Sequence, residues 1–158
     1  MDWVTVYDLH ADHDRIRTMQ AATLGATDFG VSPKPALVGT PEWWQAIEHG
    51  QLPANRLEGT ISNVYWGSMG DWPEFEVLVP DGTRSRWTRE GDVSRYVEGL
   101  GVRLTFVLHP WKVPKDELGL GDASKIVLQI DIEASDKRSD PRAPGPGGVG
   151  LGRSRSGA

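Results

Sequence analysis

Asp8-Leu9-His10-Ala11-Asp12-His13-Asp14 is the one segment that gathers metal-ligand side chains. Two histidines three residues apart, with carboxylates interleaved, can present ligands on one side of a helix start. The spacing fits no zinc motif, and no third histidine stands nearby. The competing assignment gives Asp12 and Asp14 to the cap and dipole of a helix N-terminus. Nucleophilic catalysis needs a base beside a serine or threonine, and neither His49 nor His109 lies in an elbow or triad context. Gly67-Ser68-Met69-Gly70 lacks the lysine and the spacing of a phosphate-binding loop. The expectation is no cofactor, no metal and no catalytic group. A metal or enzyme site at Asp8, His10 and His13 is the weaker alternative.

The stronger candidate is a binding surface. Tyr65-Trp66-Gly67-Ser68-Met69-Gly70-Asp71-Trp72-Pro73 places two tryptophans around a glycine-rich loop. Trp111 and Lys112 lie in another expected loop. Aromatic side chains on converging loops make a stacking or apolar recognition surface for a protein or small ligand. The sites expected to contact that partner are therefore Trp66, Trp72, Trp111 and Lys112.

Strands must carry these loops. Glu58 to Trp66 is rich in β-branched and aromatic residues, and a bulge near Ser62-Asn63 reconciles Ile61 with Val64. Glu74–Val79 and Thr83–Arg89 read as a hairpin around Pro80-Asp81-Gly82. A two-residue turn at Asp81-Gly82 sets Val77 against Arg86 and mixes core with solvent residues. A three-residue loop, with Gly82 left-handed, pairs Phe75 with Trp87, Val77 with Ser85 and Glu76 with Arg86. The second register keeps one face apolar, so it is the expected one. It also puts Arg84, Arg86 and Arg89 on a face shared with Glu74 and Glu76.

A short helix is expected over Gly91–Gly99, capped by Asp92. Gly101–His109 follows as a strand with Val102, Leu104, Phe106 and Leu108 inward and Pro110 as its end. Trp111 to Asp122 reads as a long loop, and Lys125–Glu133 as a last strand with Ile126, Leu128, Ile130 and Ile132 inward. The order of three strands, short helix and two strands resembles an OB-fold, a five-stranded barrel; another small barrel fits nearly as well.

The expected fold is thus mostly β (α+β), with three parts. Residues 57–134 form the barrel. Residues 1–56 form an extension that packs on it: a strand at Trp3–Tyr7, a helix from about His13 to Leu24 and a second short helix. Thr40 caps that second helix, Pro41 opens it, Gly50 stops it, and Trp43, Trp44 and Ile47 make its apolar stripe. Residues 135–158 hold six glycines and three prolines, and are expected to be disordered.

Charge divides the same way. Lys137, Arg138, Arg142, Arg153 and Arg155 outweigh two acids in the tail, a net +3, so residues 1–134 carry −8 of the total −5. An acidic body lacks the groove that a nucleic acid needs. Single-stranded nucleic acid read by the same tryptophans with Arg84, Arg95, Lys112 and the tail is the second alternative. The absence of cysteine excludes disulfide scaffolds and thiolate chemistry. No apolar run approaches a membrane span, and the first residues do not read as a signal peptide, so the expected place is the cytoplasm.

Overall fold

A computed structural model describes residues 2–67, 70, 72–115, 121–134, 153–154 and 156–157. The strands are β1 (Trp3–Asp8), β2 (Ala54–Gly67), β3 (Trp72–Leu78), β4 (Arg84–Thr88), β5 (Gly101–Lys115) and β6 (Gly121–Glu133). The helices are α1 (His13–Leu24) and α2 (Pro41–Glu48). Among the described residues, these six strands form one antiparallel sheet in the order β1-β6-β5-β2-β3-β4. The tail expected to be disordered lies outside the described residues, apart from a pairing of Arg153–Ser154 with Ser156–Gly157.

The turn at Pro80-Asp81-Gly82 sets the β3–β4 register. Gly82 has φ +93°, its N–H donates to the Val79 carbonyl, and the Val79 N–H donates to the Thr83 carbonyl. Phe75 then faces Trp87, Val77 faces Ser85 and Glu76 faces Arg86. Glu76 draws its ion pair from the diagonal Arg84 at 3.1 Å. Trp87 is buried, yet its ring contact is Phe106 at 5.1 Å, while Phe75 packs on Tyr96. In β2 the pairing with β3 shifts between Ile61 and Asn63, which keeps Ile61 and Val64 on one face.

Three local expectations need correction. The segment after β4 is a single 3-10 turn, Val93–Arg95, rather than a helix; Asp92 caps it and Tyr96 enters the core. β5 does not end at Pro110. It continues to Lys115, so Trp111–Lys115 and Gly121–Ser124 are strand rather than loop. A proline removes only its own N–H from a ladder. The Pro110 carbonyl accepts from the Ser32 N–H at 2.8 Å, and the Lys112 N–H donates to Gly30, so the 30–32 segment occupies that edge.

The third correction concerns which side chains point inward. Val102 and Leu104 are buried on one face of β5, but Leu108 is 46 % exposed. Val107 and His109, of opposite parity, are fully buried on the other face. β5 is covered on both sides because α2 lies on the second face, with Trp43 against His109. The β5–β6 register shifts between Thr105 and Phe106, which lets β6 follow the switch.

The first face curls around a core of Ile61, Phe75, Val77, Trp87, Leu104, Ile130 and Ile132. Lys125 of β6 reaches the Trp87 ring at 5.0 Å. Beyond β4, Gly91 crosses the backbone of β1 so closely that a Cβ there would overlap the Val6 carbonyl oxygen. Arg15 of α1 holds Glu90 at 2.8 Å beside that crossing. Among the described residues β4 pairs with β3 alone, so the sheet is curled but not closed.

Candidate functional site

Trp66 and Trp72 stand at the end of the β2–β3 hairpin and are 60 % and 50 % exposed. Both indoles are held. Arg89, expected on the face of Glu74 and Glu76, is instead buried because it has the parity of Trp87; its guanidinium donates to the Tyr65 carbonyl and lies 5.2 Å from the Trp66 ring centre. The Trp72 Nε1–H donates to Thr88 Oγ1 at 2.9 Å. Trp66 pairs with Pro73 and Gly67 with Trp72, so alternation sets the two indoles on opposite faces of the hairpin. Ser68, Met69 and Asp71, which belong to the candidate loop, lie outside the described residues.

The other two candidate residues lie elsewhere. Trp111 is half-buried against the core and forms a bridge with Val31. Lys112 Nζ donates to the Gly25 and Thr27 carbonyls at 3.1 and 2.9 Å, just beyond the end of α1. A cation there satisfies carbonyls that follow the helix and complements its dipole. Trp66 and Trp72 share the end of one hairpin, on its opposite faces; Trp111 and Lys112 are not joined to them.

In the acidic cluster, Asp8 caps the 3-10 turn Leu9–Ala11 through the His10 N–H, and Asp12 caps α1 through the Arg15 N–H. Asp12 also accepts from the Tyr7 hydroxyl at 2.9 Å. His10 stacks on Trp44 with ring centres 3.6 Å apart and 14° between planes. Among the described residues no group of three or more His, Asp or Glu side chains is placed to hold a metal. Of the arginines in the nucleic-acid alternative, Arg84 pairs with Glu76 and Arg95 with Asp92.

His10 and Trp44 also wall an open groove of about 330 Å³, between α2 and the outer face of β5 and β6. Gln45, Ile47, Glu48, Thr105, Leu128 and Gln129 complete it. Sequence reasoning missed this site, because its walls come from four elements far apart in the chain. The apolar stripe on α2 was the available signal: Trp43 fills the core, while Trp44 and Ile47 are only half-buried.

Sequence reasoning also missed His109. Its Nδ1 accepts from the Trp43 Nε1–H at 3.1 Å, which leaves Nε2–H to donate to the Ser32 carbonyl at 2.6 Å. That arrangement fixes one neutral tautomer. Burial pushes the imidazole below the usual histidine range, against the opposing pull of the Ser32 carbonyl. In the unfolded chain His109 takes up a proton as pH falls through about 6.5, whereas the folded state resists it. The unfolded state then binds more protons, so stability should fall as pH drops below that value. Urea midpoints at neutral and mildly acid pH measure this, and His109→Gln should flatten the dependence. An unchanged slope in the variant would assign the effect to other groups.

Residues 4–133 match the model of a protein family described as Immunity protein RhsI2. No curated protein matches the chain.

Proposed function

The chain belongs to the RhsI2 immunity protein family, and from that membership we propose that it binds the toxin domain of an Rhs protein and holds it inactive. The observation that carries the assignment of a contact surface is the pair of exposed, anchored tryptophans at the end of the β2–β3 hairpin. Binding energy concentrates in a few rigid aromatic side chains, since they bury much area and lose little entropy. Arg89 and Thr88 fix the two indoles before any partner arrives. Trp66 and Trp72 are the contact residues in this reading; Trp111 and Lys112 support the scaffold.

Charge favours a protein partner with a basic surface. The body carries −8, and Arg84, Arg95 and Lys112 are already engaged by carboxylates or carbonyls. Those engagements weigh against a phosphate backbone. The pairings β2–β3, β3–β4, β2–β5 and β5–β6 support an OB-like reading of the sheet, opened between β4 and β6. Among the described residues no helix is long and apolar enough to cross a membrane. The absence of cysteine supports a reducing compartment, and we read the protein as cytoplasmic.

Co-expression with the toxin domain should restore growth, and the purified pair should form a complex. A Trp66→Ala, Trp72→Ala double variant should bind about 30-fold more weakly, the equivalent of losing one hot spot of about 2 kcal/mol. Its melting temperature serves as the folding control. Wild-type affinity in the double variant would remove the hairpin from the interface. No complex with the wild-type chain would overturn the toxin reading itself.

A further inference from the structure

The groove beside α2 has a composition that selects its occupant. Trp44, Ile47 and Leu128 give it apolar walls. Among the described lining residues the Glu48 carboxylate is an acceptor only, and the amides of Gln45 and Gln129 each offer a carbonyl oxygen beside their donors. The Gln129 amide is oriented by Asp131, to which Nε2 donates at 3.0 and 3.2 Å, so its oxygen is left for a donor. Among the described residues no lysine or arginine lines the groove. Arg56, paired with Thr105 across the ladder, is ion-paired with Glu58 at 2.9 Å. His10, on the aromatic wall, has Asp8 3.2 Å from Nδ1.

An apolar trough with a carboxylate and amide oxygens in its lining fits an aliphatic stem with a cationic head. Guanidinium suits it better than ammonium, because a planar fork can meet several acceptors at once and lie against an aromatic wall. The volume, about 330 Å³, leaves room for one such side chain. We propose that this groove receives an arginine side chain of the toxin domain, as a second anchor distinct from the Trp66–Trp72 hairpin.

This assignment rests on the toxin-binding reading, and the test separates the two. Calorimetric titration of the 158-residue chain with the purified toxin domain compares wild type with Glu48→Lys, Gln129→Lys and Asp122→Lys. Glu48 and Gln129 are exposed residues on α2 and β6, so either lysine places a cation in the groove without touching the core. Asp122 is also exposed on β6, about 20 Å along the strand from Gln129, and its reversal makes the same change of charge as Glu48→Lys, and a larger one than Gln129→Lys, outside the groove. Glu48→Lys and Gln129→Lys should each weaken binding at least tenfold, while Asp122→Lys stays within threefold of wild type. Wild-type binding with both groove variants inside threefold would overturn the arginine site and leave the toxin reading standing. Equal weakening by Asp122→Lys would reduce the effect to overall charge and overturn the site as well. No binding by wild type would overturn both.

Discussion

Trp43→Ala should cost about 3–5 kcal/mol of folding stability, read as a lowered urea midpoint with a native-like m-value. Trp43 is fully buried, and it joins α2 to the second face of β5. Its removal leaves a cavity and strips His109 Nδ1 of its donor. A Trp43→Phe variant separates the two contributions. It keeps most of the ring but leaves the buried nitrogen unpaired, at about 1–3 kcal/mol. A domain of this size has roughly 5–15 kcal/mol in all, so the alanine variant loses a large share. A loss under about 1 kcal/mol would mean that α2 contributes little to the packing of the sheet.

Gly91→Ala should be of comparable severity, about 3 kcal/mol or more. Gly91 has φ +71°, a region that costs other residues about 1–2 kcal/mol. The larger part comes from the Val6 carbonyl, because a backbone atom cannot rotate aside as a side chain can. Gly50 supplies the control. Its φ is +85°, but a Cβ there meets nothing within 4 Å, so Gly50→Ala should show the conformational cost alone. Equal losses in the two variants, by chemical denaturation, would show that the crossing of Gly91 over β1 relaxes freely.

The legible parts of the fold were those fixed by local chemistry. Pro80-Asp81-Gly82 specifies a three-residue loop, and alternation then fixes every pair from Leu78–Arg84 to Glu74–Thr88. Thr40, Pro41 and Gly50 mark α2 in the same way. The failures lay where a distant segment changed the meaning of a local signal. Pro110 reads as a strand end until Ser32 is found donating to its carbonyl. Leu108 reads as core until α2 covers the opposite face and buries His109 instead.

The candidate site divides along the same line. Trp66 and Trp72 stand close together in the sequence, but their placement on opposite faces follows only from the β2–β3 register. Residue type alone suggests Trp111 and Lys112 as partner contacts. Their neighbours Val31, Gly25 and Thr27 come from the first half of the chain. The groove had no sequence signal of its own beyond the stripe on α2.

The uneven fastening of the sheet sets where the molecule yields first. Strands β6, β5, β2 and β3 each have two neighbours, β1 is an edge with one ladder of five pairs, and so is β4. Its far side is held by the Glu90–Arg15 pair, the seat of Gly91 and the contacts of Trp87. Peeling that side breaks no backbone ladder among the described residues, so it is the low-energy opening of the domain. The hairpin that bears Trp66 and Trp72 shares β3 with this flap, while the α2 groove sits on the β5–β6 side. The two proposed anchors thus lie at different distances from this seam, the hairpin beside it and the groove on the other side of the sheet order.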